Sequence, residues 1–222
     1  MNAAATALRD TGLPLGILPL GTANDLALTL GIRPEPAAAA AAILGGRTRM
    51  LDLGCVNGHP YFNVASLGLS VDITHRLTGL MKRRLGRLAY PVAAAAVIAT
   101  AGRFHATLRI DGQDTPIRSM QIAVGNGRYY GGGMVVEANA DIDDQLLNVY
   151  SLEPRARWRL LLMARAFRAG EHGRLDEVRA LTCRALTVET RRPRAISADG
   201  EIVTRTPARF TLLPRAVRVF VP

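Results

Sequence analysis

A chain of 222 residues that is 49% hydrophobic and 21% charged has enough apolar material for a core, and we expect one large domain or two unequal ones. Its 28 basic and 18 acidic residues give a formal net charge of +10, which indicates an anionic partner or else only a solvated basic face. Aromatic residues make up 5% and are not interleaved with basic ones, which argues against a base-stacking nucleic-acid surface.

The first 46 residues predict an alternation of helices and strands. Met1 to Arg9 is rich in alanine and predicts a helix, and Leu15 to Leu20 predicts a buried strand. A second helix follows Asp25, and Pro36 begins a third, which includes six consecutive alanines and ends at Gly45-Gly46. We place a domain boundary directly after this third helix.

The turn between the predicted strand and the second helix holds residues suited to a phosphate. Gly21 allows close backbone approach, and Thr22, Asn24 and Asp25 are residue types preferred at helix N-caps. The free N–H groups at such a helix start would suit a phosphate. The same join also recurs as a purely structural feature throughout α/β proteins.

From Arg49 the pattern changes to the alternation typical of strands. Met50 to Val56 and Tyr61 to Ala65 flank Asn57-Gly58, a pair typical of a two-residue hairpin turn. Further strands are predicted at Phe104 to Ile110 and at Ile117 to Val124. The sequence therefore predicts a second, β-rich unit.

Two longer segments predict helices inside this unit. Ser70 to Gly102 reads as helical with a break or kink at Pro91, and Arg155 to Gly170 predicts an amphipathic basic helix. The first segment carries a cluster of basic residues: Lys82, Arg83, Arg84 and Arg87. Such a cluster is typical of a solvated face and would also suit an anionic membrane.

A glycine-rich segment is followed by a group of carboxylates. Gly125 to Met134 has five glycines in ten positions, which indicates backbone of unusual conformation or close packing. Three aspartates, Asp141, Asp143 and Asp144, then repel one another unless a cation or basic group is near. Oxygen ligands alone favour Mg²⁺ or Ca²⁺ over zinc. A solvated acidic turn is the alternative.

The last third of the chain returns to strand patterns. Leu186 to Glu189 and Arg194 to Ala198 alternate, and Asp199-Gly200-Glu201 follows as a hairpin turn. Phe210 to Pro222 predicts a final strand.

Four of these segments, in the same order, resemble motifs of the diacylglycerol kinase and sphingosine kinase-like lipid kinases, which transfer the γ-phosphate of ATP to a lipid hydroxyl. They are Pro19 to Asp25 ("PLGTxND"), Gly125 to Gly133 ("GNGRxxGGG"), Ala140 to Leu146 ("AxxxDGL") and Asp199 to Glu201 ("DGE"). Gln145 stands where the third motif usually has glycine. Polyphosphate/NAD kinases share the fold, but the second and fourth motifs point to the lipid branch.

The resemblance implies a fold of class α/β + β, as in the NAD kinase/diacylglycerol kinase-like fold. Residues 1–46 would be a remnant of a Rossmann-like α/β nucleotide-binding domain, and residues 47–213 a β-sandwich-like domain that binds the lipid acceptor. Residues 214–222 would form a terminal strand that returns to the first domain.

The resemblance also implies site residues. Gly21, Thr22, Asn24 and Asp25 would contact the phosphates of ATP or their Mg²⁺, and Glu201 would act as the general base. Asp199 would either orient Glu201 or serve only the turn.

For the third motif, the resemblance implies a structural Mg²⁺, with Ca²⁺ as an alternative. The ion would be held by the side chain of Asp144, with Asp141 and Leu146 at the flanking ligand positions. The replacement of glycine by Gln145 could disturb this turn.

In the family, a "GGDGT" loop stands directly before a helix whose start corresponds here to Met1-Asn2-Ala3, and that loop is absent from the sequence. We expect Met1 to be an internal methionine of a longer protein; a genuinely short paralogue is the alternative. The predicted function is an ATP-dependent lipid kinase, impaired in this chain. The alternative is a non-catalytic module that binds lipid or a partner.

The expected partners are ATP and a lipid acceptor, with peripheral membrane contact and no nucleic acid, and a homodimer is left open. Cys55 and Cys183 lie far apart and lack metal-ligand spacing to any histidine, which predicts a reducing compartment and no zinc site. The most apolar window, Pro91 to Ala101, is too short to cross a bilayer, and the start of the chain lacks a signal-peptide pattern. We therefore expect a cytoplasmic protein, peripheral at the inner membrane surface.

Overall fold

Two six-stranded antiparallel sheets make up most of the structure, a computed structural model that describes residues 2–21, 24–76, 89–127, 129–130, 134–135, 141–153 and 178–222. The helices are α1 (Asn2–Thr11), α2 (Asp25–Thr29), α3 (Pro36–Leu44), α4 (Leu69–Arg76) and α5 (Ala89–Thr100). The strands are β1 (Thr48–Val56), β2 (His59–Tyr61), β3 (Val64–Gly68), β4 (Phe104–Ile110), β5 (Gln113–Ser119), β6 (Gln121–Gly125), β7 (Tyr129–Tyr130), β8 (Met134–Val135), β9 (Leu147–Leu152), β10 (Val178–Cys183), β11 (Leu186–Thr190), β12 (Ala195–Ala198), β13 (Glu201–Arg205) and β14 (Ala208–Phe220).

The two sheets form a sandwich around one aliphatic core. The first sheet has the order β2-β1-β14-β11-β4-β5 and the second β10-β9-β6-β3-β12-β13, while β7 pairs only with β8. Leu108 and Val188 of the first sheet pack in the same cluster as Ile122 and Ile196 of the second. Each such fully buried side chain stabilises the fold by about 1.5–3 kcal/mol. This confirms the predicted α/β + β class with a β-sandwich-like unit.

A second core lies where the first residues of the chain meet β1 and β14. Ala5 of α1, Leu26 of α2 and Ala39 of α3 cluster with Leu51 of β1 and Val219 of β14. β14 pairs with β1 antiparallel over almost its whole length, and its first half contributes to the sandwich core. One continuous strand therefore joins the two cores.

Turn chemistry explains three of the hairpins. Asn57-Gly58, Asp111-Gly112 and Asp199-Gly200 all have positive φ at both residues, the conformation that favours Asn, Asp and Gly. The predicted hairpins at Asn57 and Asp199 are thereby confirmed.

The predicted strand at Leu15 to Leu20 is wrong. Only Leu15 pairs, through a single parallel bridge to Val219. Beyond it the side chains alternate: Ile17 is buried, whereas Leu18 and Leu20 are 56% and 74% exposed. The run of apolar residues suggested burial on both sides, but in the described structure only one side packs on a core.

Two smaller corrections concern segment ends. Ile117 to Val124 is not one strand, because β5 ends at Ser119 and β6 begins at Gln121, with Met120 between them. Pro91 lies inside α5, and the described helix continues past it to Thr100, so it does not end at the proline. Residues 77–88, with the predicted basic cluster, and the predicted helix at 155–170 lie outside the described residues. Among the described helices, none is long and apolar enough to cross a membrane.

Candidate functional site

The turn before α2 is closed by the side chain of Asn24. Its amide nitrogen donates to the carbonyl oxygens of Pro19 (3.2 Å) and Gly21 (3.0 Å), and its Oδ1 accepts from the Gly21 N–H (2.9 Å). Asn24 itself has φ 53° and makes no side-chain bond to the helix N-terminus. Its role in this structure is therefore to hold the turn and not to cap the helix. Thr22 lies outside the described residues.

Helix α2 packs against the beginning of the glycine-rich segment. Asp25 begins the helix, and its carbonyl oxygen accepts from the Thr29 hydroxyl at 2.9 Å. A methyl group added at Gly127 would lie 3.6 Å from Thr29 Oγ1 and 3.7 Å from Asn63 Oδ1. Gly127 therefore lies between α2 and the segment just before β3, at ordinary packing distance from both.

Asn63 and Asn126 link the contact between α2 and Gly127 to the strands of the sandwich. The carbonyl oxygen of Asn63 accepts from the N–H groups of Asn126 (2.8 Å) and Gly127 (3.4 Å). The Asn126 amide donates to the carbonyl oxygens of Asp52 (2.9 Å) and Phe62 (3.0 Å). The Oδ1 atoms of both asparagines are buried and have no hydrogen-bond partner among the described residues. They are acceptors in need of a donor such as a bound water.

The β12–β13 hairpin is fastened to the same segment through Asp199. Its carboxylate accepts from the main-chain N–H groups of Phe62 (2.7 Å), Asn63 (3.0 Å) and Val64 (3.1 Å). Burial raises the pKa of Asp199, against the lowering effect of these three donors. Asp199 thus anchors the hairpin to residues 62–64, and the carboxylate of Glu201, two residues later, stays exposed.

Residues 62–64 therefore stand between two of the predicted site regions. On one side they contact Gly127, which faces Thr29 of α2. On the other they hold Asp199 and so the hairpin of Glu201. The glycine-rich motif, at Asn126 and Gly127, and the Asp-Gly-Glu motif, at Asp199, are both hydrogen-bonded to this short segment, and α2 lies beside it at Thr29.

The acidic loop winds around Asp144. Its two carboxylate oxygens accept from the N–H groups of Asp141 (3.1 Å) and Leu146 (2.8 Å), which places these residues on either side of it. Gln145 has φ 60° and so keeps the left-handed conformation that glycine would adopt there. In the described residues no three His, Cys, Asp or Glu side chains converge on a metal position. A cation here would need main-chain carbonyl ligands besides Asp144.

Arg49 neutralises part of the charge of this loop. Its Nε donates to Asp143 at 2.7 Å, and its terminal nitrogen also contacts Asp141 at 2.7 Å. The hydrogen bond from Arg49 holds the pKa of Asp143 below its usual value. Among the described residues, one guanidinium is paired with this group of three carboxylates, which leaves two of their negative charges without a salt bridge. That is the charge a divalent cation would balance, so the loop fits such an ion.

Asp52 is a buried carboxylate at the centre of these contacts that the sequence analysis missed. Its Oδ1 accepts from the Arg215 N–H (2.7 Å) and its Oδ2 from the Gln145 N–H (2.9 Å), while its own N–H donates to Ile142 (3.1 Å). It is 1% exposed. The available signal was an aspartate inside an apolar strand pattern, between Leu51 and Leu53.

Family models match almost the whole chain. Residues 63–221 match the YegS C-terminal NAD kinase beta sandwich-like domain, and residues 1–56 match the diacylglycerol kinase catalytic domain.

Curated proteins of bacterial origin are similar over nearly all of it. A diacylglycerol kinase of Mycobacterium tuberculosis is 34% identical over 97% of this chain and 71% of its own length. A YegS-like probable lipid kinase of Pseudomonas aeruginosa is 36% identical over 94% of this chain and 68% of its own length.

Solved structures have the same fold. A diacylglycerol kinase from Bacillus anthracis superimposes with a TM-score of 0.69 at 20% identity and covers 94% of this chain and 67% of that one, a likeness that establishes the fold alone. A second Bacillus anthracis structure, assigned to the same class, reaches a TM-score of 0.75 at 25% identity and covers 94% of this chain and 68% of that one.

Proposed function

The chain belongs to the family of diacylglycerol kinases and YegS-like lipid kinases, and from this premise we propose that it serves ATP-dependent transfer of the γ-phosphate to the hydroxyl of a lipid such as diacylglycerol. The observation that carries the proposal is the junction at residues 62–64. It relates the Asp-Gly-Glu hairpin to helix α2, which follows the turn proposed for ATP. A phosphoryl acceptor and donor have to meet in such a place.

Glu201 is the proposed general base. A lipid hydroxyl that attacks phosphorus must lose its proton as the new O–P bond forms, and a carboxylate within hydrogen-bond reach takes or orients that proton. Glu201 has an exposed carboxylate at the first position of β13, on a hairpin that Asp199 fixes. Asp199 is a positioning residue in this proposal, because its own oxygens are engaged by main-chain donors.

Gly21, Asn24 and Asp25 are proposed to contact the phosphates of ATP or their Mg²⁺, together with Thr22. Support comes from the Asn24 side chain, which holds the turn in one conformation before any ligand binds. A turn that is already held in one conformation loses less entropy when the phosphate arrives.

The acidic loop is proposed to hold a structural divalent cation, Mg²⁺ or Ca²⁺. Asp144 would supply its side chain, and Asp141 and Leu146 would supply main-chain carbonyl oxygens, since all three lie around one turn. The ion would balance the loop's charge and cross-link the segments that Asp52 joins. This chain's part in phosphoryl transfer remains the placement of Glu201 and of the α2 turn.

A non-catalytic module is the second candidate. The 222 residues contain no Gly-Gly-Asp-Gly-Thr segment, and phosphoryl transfer depends mainly on positioning and charge neutralisation by such loops. On this reading the chain binds lipid or a protein partner and transfers little phosphate alone. Within the first reading the same fact predicts impaired turnover.

The wider organisation follows from the same proposal. Residues 1–46 would serve the nucleotide, residues 47–213 the lipid, and residues 214–222 would return to the first unit. The protein would act in the cytoplasm at the inner membrane surface, with a homodimer as an open alternative to the monomer.

The test is phosphate transfer from radiolabelled ATP to diacylglycerol in mixed micelles, by the 222-residue chain and by a version preceded by a segment with the glycine-rich loop. In the active form, Glu201→Gln should reduce transfer by at least about 10²-fold while ATP binding and melting temperature persist. Glu35→Gln, the same change at another exposed glutamate, is the matched control. Equal activity of the two variants would remove Glu201 from the mechanism. Absence of transfer in both versions of the parent chain would favour the non-catalytic module.

A further inference from the structure

We infer that one end of the sandwich is a docking surface for the phosphate headgroups of an anionic bilayer. The inference rests on the proposed function, because a lipid acceptor has to be met at a membrane. We call this surface the arginine end, and it consists of Arg103, Arg118, Arg191, Arg192, Arg194 and Arg205.

Strand register brings these residues together from both sheets. Thr190, the last residue of β11, pairs with Ala106 of β4. Arg191 and Arg192 follow Thr190 and so reach the level of His105, the residue before Ala106. His105 pairs with Arg118 of β5. In the other sheet Ala195, at the start of β12, lies opposite Arg205. Six arginines distant in sequence therefore share one end of the fold.

The loop that carries three of them is held in place. The Thr190 hydroxyl donates to the carbonyl oxygen of Arg192 at 2.8 Å. Buried Thr206 accepts from the Arg194 N–H through its hydroxyl (2.9 Å) and donates its own N–H to the Arg194 carbonyl (2.9 Å). Because the backbone is fixed, less conformational entropy is lost when the guanidinium groups bind.

Charge at the arginine end is uncompensated. Elsewhere Arg109 pairs with Asp114 and Glu189, and Arg179 pairs with Glu153. None of the six arginines of this surface has an ion pair with a described residue. Among the described residues, positive charge thus accumulates here without ion-pair partners, which is the distribution that attracts an anionic surface.

The surface also has a concave part of suitable size. A cavity of about 310 Å³ lies between the loop and α4, lined by Gly68, Val71, Asp72, Arg192, Pro193, Arg194 and Ala195. Guanidinium groups bind phosphate oxygens through paired N–H donors. Among the described residues of the lining, two are arginines and one, Asp72, is acidic, so their balance of charge favours an anion.

A bilayer suits this surface better than a nucleic acid. Single-stranded nucleic acids stack their bases on exposed aromatic rings. The aromatic ring here, Phe104, is only 6% exposed and is covered by the Arg194 guanidinium at 4.2 Å. Several arginines spread over one end can instead contact several headgroups at once, and their contributions to membrane binding add.

The experiment is co-sedimentation of the whole chain with vesicles of phosphatidylcholine alone or with about a third phosphatidylglycerol, without ATP, at about 0.1 M salt. We expect binding only to the anionic vesicles, and a loss of at least about tenfold in affinity for Arg191→Glu/Arg192→Glu. The matched control, Arg47→Glu/Arg218→Glu, makes the same change of charge at two exposed arginines near the far end of the β1–β14 ladder and should stay within about twofold. Melting temperatures verify that both variants fold.

Four outcomes would overturn the inference. Equal losses in the two double variants would mean that only net charge matters. Binding of free inorganic phosphate without preference for anionic vesicles would make the surface a soluble-anion site, and stronger retention by single-stranded RNA than by vesicles would make it a nucleic-acid site. Vesicle binding needs no turnover, so the two proposals can fail separately. If the version that carries the glycine-rich loop docks but transfers no phosphate, the kinase proposal alone is refuted. If that version transfers phosphate in micelles but ignores vesicles, the docking surface alone is refuted.

Discussion

The Asp52 carboxylate accepts a 2.7 Å hydrogen bond from the main-chain N–H of Arg215, at the point where β1 and β14 shift register. Arg215 has φ 48°, so the strand turns its N–H out of the normal ladder and toward the carboxylate. The other carboxylate oxygen holds Gln145 of the acidic loop, also at positive φ. A single buried side chain thus fixes two irregular backbone positions, and both depend on it.

Replacing Asp52 should therefore destabilise the fold. Asp52→Ala removes the acceptor of two main-chain N–H groups and should lower the free energy of unfolding by about 2–3 kcal/mol. Urea titration followed by circular dichroism measures this. Asp72→Ala, at an exposed helical aspartate, should change it by less than about 0.5 kcal/mol. Similar values for the two variants would contradict the structural role of Asp52.

Gly54 is expected to tolerate no side chain. A methyl group there would lie 2.1 Å from Cζ of Tyr61, which is fully buried and stands opposite Gly54 in the β1–β2 ladder. Gly54→Ala should lower the free energy of unfolding by about 1–3 kcal/mol or more, because the ring has nowhere to move in a packed core. Gly102→Ala, which meets no atom within 4 Å, is the control and should melt like the parent protein. A normal melting temperature for Gly54→Ala would show that the ring can shift.

Local chemistry explains which parts of the fold could be predicted from sequence. The hairpins at Asn57-Gly58 and Asp199-Gly200 follow from residues that adopt positive φ without much strain. The strands of the sandwich follow from alternation, as in β4, where buried Phe104, Ala106 and Leu108 alternate with more exposed residues. Both signals lie within a few neighbouring residues.

What could not be predicted depends on partners far apart in sequence. Asp52 and Arg215 are 163 positions apart, and the sequence around each residue does not indicate their contact. Likewise, the residues Leu15 to Leu20 carry the composition of a buried strand, but whether a strand pairs there depends on which other strands reach it. The assignments of Glu201, Asp144 and the α2 turn stay predictions, because the resemblance suggested them and ligand contacts have to test them.

The ion pair of Arg49 and Asp143 should make stability depend on acid pH. The pKa of Asp143 is lower in the folded protein, so the pair stabilises the fold above the ordinary aspartate pKa of about 4, and this stability is lost as the pH falls through the folded value. Both side chains are about a third exposed, so the effect should be below about 1 kcal/mol. Melting curves of Arg49→Met should lie below those of the parent at about pH 6 and approach them below about pH 3. A constant difference across this range would indicate that packing, and not charge, is lost.

Replacing the two acidic residues of the Asp-Gly-Glu hairpin should have different effects on the free energy of unfolding. Asp199→Ala leaves three main-chain N–H groups without their acceptor and should cost about 2 kcal/mol or more. Glu201→Gln changes an exposed side chain and should stay within about 0.5 kcal/mol. Chemical denaturation of the two variants and of the parent protein measures this difference. If Glu201→Gln unfolds as easily as Asp199→Ala, then Glu201 has a structural part that an exposed base would not have.

The acidic loop should bind a divalent cation through Asp144, and melting temperature reports this without any activity. An ion that binds only the folded state stabilises it by about 2.7 kcal/mol at roughly 100 times its dissociation constant. Mg²⁺ or Ca²⁺ should thus raise the melting temperature of the parent and EDTA should lower it, whereas Asp144→Ala should respond to neither. Asp114→Ala, which removes an exposed carboxylate paired with Arg109, should keep the full response. Equal responses of these two variants would place any bound cation elsewhere and leave Arg49 as the counterion of the loop.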